Sequence, residues 1–411
     1  MAFIRKSADT HTLKDPVFEI AQRAQADMKV NGDLVVNATI GTLYGEDGRL
    51  VAYESVYHYY DHLDSRIKAK YAAGVAGNAN YRNSVYRWVF GDIKIDLPHS
   101  VVATPGGTGS INSTMMNILE KGETVILPDN CWSNYALMAE MNTLKITRYS
   151  LFKDDHYDMD RIRETIAEVQ KIQDKVLILV NDPCHNPTGY SMTVEEWKEL
   201  IGILNEASEK TPVVLLDDIA YIDYAYNPEN RAYMALFNTI SENVMVIISF
   251  SCSKTLTFYG MRCGASIVLA RRLRDVQDAE AVFEKTARSA WSNISNSGME
   301  TFAWVESEYK EQFLQEKQEY IEVMKERSSL FLKEAAECGL PIYPYKEGFF
   351  LTIKGKDPET TKKIHQVFLD HHIYTVLLGK DIRIGICSLP VRKVRGLAGK
   401  MKALIEENGL G

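Results

Sequence analysis

The sequence predicts an α/β protein: a large domain with a mostly parallel central sheet flanked by helices, plus a smaller α+β domain. Three observations carry that expectation. The chain has 411 residues, more than one hydrophobic core usually serves, so two domains are expected. From about residue 100 to residue 270, short β-branched apolar runs alternate with amphipathic segments, the signature of a parallel sheet covered by helices. Beyond Gly339 the apolar runs stand apart around a single helix, as a small α+β unit requires.

The runs of the large domain are Val125–Leu127, Val176–Val180, Val213–Leu216, Val244–Phe250 and Ala265–Ala270. Between them lie helical spacings. Thr193 and Glu196 form a capping-box signature, after which Val194, Trp197, Ile201 and Leu204 recur on one face. From Ser297 to Cys338 a charged stretch carries Phe302, Tyr309, Phe313, Ile321, Met324 and Phe331 at helical intervals and stops at Gly339, predicting one or two long helices that join the domains. Phe349–Ile353 and Ile382–Ile386 read as strands around a helix near Thr360–Leu369. A helix at Pro16–Met28 is too short to stand alone and is expected to pack with this C-terminal unit. The expected domains are therefore 45–310, and 1–44 together with 311–411.

Hydrophobic residues make up 45% and charged residues 25%, which fits a globular chain rather than a disordered or fibrous one. A net charge of -8 without a dense Lys/Arg run argues against nucleic acid and anionic membranes as partners. Cys131, Cys184, Cys252, Cys263, Cys338 and Cys387 are too scattered for a metal site or a disulfide framework and read as reduced thiols. The basic start MAFIRKSADTHTLKDP has no apolar stretch behind it, so no secretory leader is expected. No run nears the roughly 18 apolar residues of a membrane span, and a cytoplasmic location is the expectation.

Ligands of open parallel sheets bind beyond the carboxyl ends of the strands. Following Val176–Val180 come Asn181, Asp182, Pro183, Cys184, His185, Asn186, Pro187, Thr188 and Gly189; following Val213–Leu216 come Asp217, Asp218 and Tyr221; following Val244–Phe250 come Ser251, Lys254 and Arg262. One crevice thereby receives a carboxylate, an amide, a phenol, a hydroxyl, an amine and a guanidinium. Upstream, the turn Thr104-Pro105-Gly106-Gly107-Thr108-Gly109-Ser110 opens a helix with the apolar face Ile111, Met115, Ile118 and Leu119. Backbone N–H groups and the helix dipole at such a start favour a phosphate. An aldehyde cofactor with a phosphate tail needs an amine, an anion cradle, a carboxylate for its ring nitrogen and donors for its ring oxygen, and each has a candidate here.

The motifs His185-Asn186-Pro187-Thr188-Gly189, Asp218-x-Ala-Tyr221 and Ser251-x-x-Lys254 with Arg262 together resemble those of class I aminotransferases, of the aspartate and aromatic aminotransferase kind and fold type I among pyridoxal phosphate enzymes. The resemblance runs from Asp15-Pro16-Val17-Phe18 to Arg383. It implies that Lys254 forms the Schiff base with pyridoxal 5'-phosphate, that Asp218 pairs with the pyridine nitrogen, and that Asn186 and Tyr221 contact the ring oxygen. Gly107, Thr108, Ser251 and Arg262 would hold the phosphate, and Trp132 would lie over the ring. Arg383 matches the arginine that grips the substrate α-carboxylate, beside Gly41. The family shares its sites across a homodimer, and two positions resemble residues lent by the neighbouring subunit. Tyr71 would reach the other subunit's phosphate, and Arg288 would bind the distal carboxylate of a dicarboxylic substrate.

Bland alternatives stand beside these roles. Lys254 alone would be a solvated loop lysine, Asp218 a turn cap, Tyr221 and Trp132 core aromatics, Arg262 and Ser251 surface residues, and Arg383 a salt-bridge partner. Asn186 and Thr188 would merely shape a turn, and His185 is expected to be structural. Asp217 rivals Asp218, although strand alternation points the two to opposite faces. The chain departs from the family at Trp291 where a tyrosine is usual, at Ile294-Ser295 for two prolines, at Gly106 for a serine, and at Leu43, an added residue. These leave the substrate open between a dicarboxylic acid such as aspartate and an aromatic one, with 2-oxoglutarate as a suitable acceptor. Rival readings are another pyridoxal phosphate reaction such as β-elimination, and a non-catalytic ligand-binding protein. A dinucleotide fingerprint at Gly107-x-Gly109 is broken by Asn112.

Overall fold

A computed structural model describes residues 3–4, 9–13 and 15–411. Residues 1–2, 5–8 and 14, within the stretch from which no leader is expected, lie outside it. The central sheet has seven strands: β1 (His99–Thr104), β2 (Thr124–Pro128), β3 (Lys145–Tyr149), β4 (Val176–Val180), β5 (Val213–Asp218), β6 (Val244–Ser251) and β7 (Gly264–Leu269). Their spatial order is β1-β7-β6-β5-β4-β2-β3. Only β7 runs against its neighbours, pairing antiparallel with both β1 and β6.

Both faces of the central strands β4, β5 and β6 are buried, as their unbroken apolar runs require. Alternation divides each strand between two cores: Val176, Ile178 and Val180 face one with Val213, Leu215 and Val246, whereas Leu177 and Leu179 face the other with Val214 and Leu216. The first core continues into a three-stranded antiparallel sheet of β8 (Phe350–Ile353), β9 (Val376–Leu378) and β10 (Asp381–Gly385), in the order β8-β10-β9. Phe350, Leu351, Ile382 and Ile384 supply its share of that core.

The helices that matter for the site are five. α1 (Pro16–Asn31) is started by Asp15, whose carboxylate accepts the N–H groups of Val17 and Phe18. It packs Ile20 and Ala24 against Leu369, Tyr374 and Val376, so the N-terminal helix does join the C-terminal unit. α2 (Gly106–Ile118) follows β1 directly. α3 (Val194–Ala207) has the full capping box of Thr193 and Glu196, and buries Trp197, Ile201 and Leu204, although Val194 itself points outward at 42% exposed. α4 (Cys252–Thr255) is a single turn. α5 (Lys310–Cys338) is separated from the helix Asn296–Glu308 by Tyr309, so the long charged stretch is two helices, the second closed by Gly339 at φ +70°. A left-handed residue after the last turn is the usual place for glycine.

Candidate active site

The carboxyl ends of β4, β5 and β6 open onto one cavity of about 420 Å³. It brings together Gly41, Gly107, Thr108, Trp132, Asn186, Asp218, Tyr221, Ser251, Lys254, Arg262 and Arg383. Tyr71 and Arg288 are not in that lining. Tyr71 is 83% exposed, and Arg288 is exposed at the end of its helix, donating to Ser292 Oγ at 2.6 Å.

Asp218 ends β5, and its Oδ2 accepts from Tyr135 Oη at 2.6 Å while Oδ1 accepts from the Ala220 N–H at 3.1 Å. Burial raises its pKa to about 6, and the Tyr135 and Ala220 donors act to lower it. Asp217, one residue earlier, faces the other way, accepting from Tyr233 Oη at 2.8 Å with its second oxygen unpartnered. Burial pushes its pKa well above the usual range, and it does not line the cavity, so it is no rival there.

At the end of β4, Asn181 donates to Asp218 O at 2.6 Å and accepts the Asn186 N–H at 2.8 Å, which fixes the backbone of the turn that carries Asn186. His185 pairs Nδ1 with Thr188 Oγ1 at 2.9 Å inside this turn, and burial lowers its pKa to about 3; it is structural and uncharged. Trp132, half-buried, meets Tyr135 edge-on at 5.4 Å.

Lys254 reaches the cavity from α4. Its Nζ donates to Gly41 O and lies 4.7 Å from the ring centre of Tyr259 and 5.5 Å from that of Tyr221. Burial lowers its pKa to about 8, and the charges of Arg383 and Arg262 push the same way. A neutral amine is therefore available near neutral pH, which a nucleophile needs.

The N-terminus of α2 has no side-chain cap, so its first N–H groups remain for an anion. Arg262 stands beside it, donating to Ser253 Oγ at 3.1 Å and to Tyr259 O at 3.0 Å. Gly106 there has φ +70°, a conformation that favours glycine, and a Cβ would lie 2.7 Å from Arg262 Nη2, so a side chain would make the arginine shift.

Arg383, on β10, is 5% exposed and has no carboxylate partner among the described residues. Nη1 donates to Asn186 Oδ1 at 3.2 Å and Nη2 to Thr39 O at 3.1 Å, while Nε has no partner. The guanidinium lies 4.4 Å from the Phe350 ring centre. A buried, oriented cation with an unmet donor fits the carboxylate of a small acid.

Sequence reading missed several residues of this cavity. Tyr135 follows Trp132 by one helical turn, and its bond to Asp218 was visible only once β5 met that helix. Tyr259 accepts the Leu43 N–H at 2.9 Å, anchoring the added residue of the Gly41 loop. Asp15, Val17 and Phe18 form a wall at the start of α1.

The family model for aminotransferase class I and II matches residues 46–400. The aromatic-amino-acid aminotransferase of Escherichia coli is 26% identical over 303 residues, 71% of this chain and 72% of that protein. The mitochondrial aspartate aminotransferase of Gallus gallus is 27% identical over 195 residues, so that the chain spans 45% of its length. Among solved structures, an aminotransferase from Anaerococcus prevotii superposes with a TM-score of 0.94 at 30% identity, covering 99% of this chain and 100% of that one. An aromatic-amino-acid aminotransferase from Burkholderia pseudomallei covalently bound to pyridoxal phosphate shares the fold, with a TM-score of 0.79 at 21% identity over 98% of this chain and 100% of that one. Sequence, fold and cavity agree, and the chain belongs to the class I and II aminotransferase family.

Proposed function

We propose that this protein is a pyridoxal phosphate-dependent aminotransferase that moves the amino group of an aromatic or dicarboxylic amino acid to a 2-oxo acid such as 2-oxoglutarate. The observation that carries the reading is a half-buried lysine amine in one cavity with a buried carboxylate, an uncapped helix start beside an arginine, and a second arginine without a counter-charge. When bound, pyridoxal phosphate supplies an aldehyde for amines and a protonated ring that draws electrons from the substrate Cα.

The chain's own residues divide the work. Gly107, Thr108, Ser251 and Arg262 hold the phosphate. Asp218 would keep the ring nitrogen protonated, Asn186 and Tyr221 would donate to the ring oxygen, and Trp132 would lie against the ring. Lys254 Nζ would hold the cofactor at its aldehyde and, once free, would take the proton from the substrate Cα. Arg383, with Gly41 nearby, holds the α-carboxylate and so disfavours its loss as carbon dioxide. Tyr71 and Arg288 serve the neighbouring subunit of a homodimer, at its phosphate and at the distal carboxylate of its substrate. Both are exposed in the single chain, which supports that assignment. Residues 1–44 and 311–411 form the small domain that carries Arg383 toward the cofactor on the 45–310 domain.

An amino-acid panel against 2-oxoglutarate, read with the absorption spectrum of the holoprotein, tests the reading. Transfer from aspartate, phenylalanine or tyrosine is expected; keto-acid release without glutamate formation would replace it with an elimination.

A further inference from the structure

Lys254 sits on a helix of one turn, which cannot hold its own shape in water. Its fixation comes from outside the cavity. Asp223, two residues after Tyr221 and only 6% exposed, places its carboxylate among four donors from four segments. Oδ2 accepts from Thr255 Oγ1 at 2.6 Å and from Trp88 Nε1 at 2.9 Å. Oδ1 accepts from Lys317 Nζ and Arg231 Nη2, both at 2.9 Å. Burial works against its charge, and Lys317 and Arg231 outweigh that cost.

The next residue closes a second tie. Tyr224 donates its phenol to Lys254 O at 3.1 Å, and Tyr53 lies 2.7 Å from the same phenol oxygen. The backbone of Lys254 and the side chain of Thr255 are therefore both fastened to the segment that carries Tyr221 into the cavity. Through Lys317 the fastening extends to α5, the longest helix of the chain.

We propose that Asp223 and Tyr224 are positioning residues that set where the Lys254 amine stands, through Thr255 Oγ1 and the Lys254 carbonyl. This rests on the reading of Lys254 as the cofactor-binding amine. A carboxylate that merely stabilised the core would leave the amine's reactivity no more affected than any other contact in the cavity.

Two ligands separate these roles. Pyridoxal phosphate and pyridoxamine phosphate offer the same phosphate, ring nitrogen and ring oxygen. Only the first has an aldehyde carbon to which Lys254 Nζ can add, forming a C=N bond as one water leaves. Thr255→Val removes one hydroxyl and leaves Asp223 its three other donors, and Tyr224→Phe removes the carbonyl bond and leaves Asp223 untouched. Equilibrium binding to apoprotein is measured for both ligands, with thermal melting alongside. The Kd for pyridoxal phosphate is expected to rise about tenfold in Thr255→Val, the scale of one buried bond to a charged group, and about fivefold in Tyr224→Phe, that of a neutral bond, with that for pyridoxamine phosphate within about twofold in both. Equal weakening of both ligands, or of neither, would overturn the proposal. Wild-type protein that forms no covalent adduct overturns the assignment of Lys254 itself, and that result is read before any variant is made.

Discussion

The two halves of the cavity are built differently. On the large-sheet side, Asp218 has donors on both oxygens, and Asn181 ties its carbonyl to the turn that carries Asn186. On the small-sheet side, Arg383 is held by two bonds yet keeps a buried N–H unmet and, among the described residues, no carboxylate in ion-pair contact. The difference teaches where each ligand belongs. A resident cofactor suits groups whose geometry is settled by the protein, whereas a substrate that arrives and leaves suits a group whose partner is missing.

The largest expected effect tests the settled half. Lys254→Ala should abolish transfer, by on the order of 10⁴-fold or more, together with the visible absorbance of the bound cofactor. A variant keeping both would remove the lysine from the chemistry. Arg383→Lys should lower kcat/KM about 100-fold for every amino acid, because a point charge cannot replace the fork, while cofactor affinity holds. If the cofactor is lost as readily as the substrate, the division between halves is wrong.

Smaller effects sharpen the comparison. Tyr135→Phe removes a donor to Asp218 and should weaken cofactor binding about tenfold, with the loss growing as pH falls toward 6, where Asp218 takes up a proton. Capture of pyridoxal phosphate by apoprotein should speed up with rising pH and level off above about 8, since Lys254 attacks only when neutral. A stopped-flow profile flat across that range would contradict the lowered pKa. Arg288→Ala should cost aspartate about tenfold and phenylalanine little, in keeping with the modest worth of an exposed charge. Equal losses would discard the distal-carboxylate role.

Much of this was legible in the sequence for a physical reason. Strands β4, β5 and β6 are buried on both faces, so they read as unbroken apolar runs, and polarity returns abruptly where the cavity begins. The edge strand β3 was not recognised because Lys145 and Arg148 break its pattern, and the reversed direction of β7 leaves no trace in its composition. Tyr135 and Tyr259 escaped because their partners, Asp218 and Leu43, are distant in sequence or chosen by packing. Asp223 carries no motif of its own, and its partners Trp88 and Lys317 come from distant parts of the chain.

The carbonyl of Thr39 that steadies Arg383 belongs to a segment whose Val36–Asn37 pairs in parallel with Ile373–Tyr374. During synthesis at about 5–20 residues per second, the early partner would wait tens of seconds for the late one to leave the ribosome. The setting of Arg383 is thus among the last features a newborn chain can complete, and a truncated product would lack it however well its central sheet had formed.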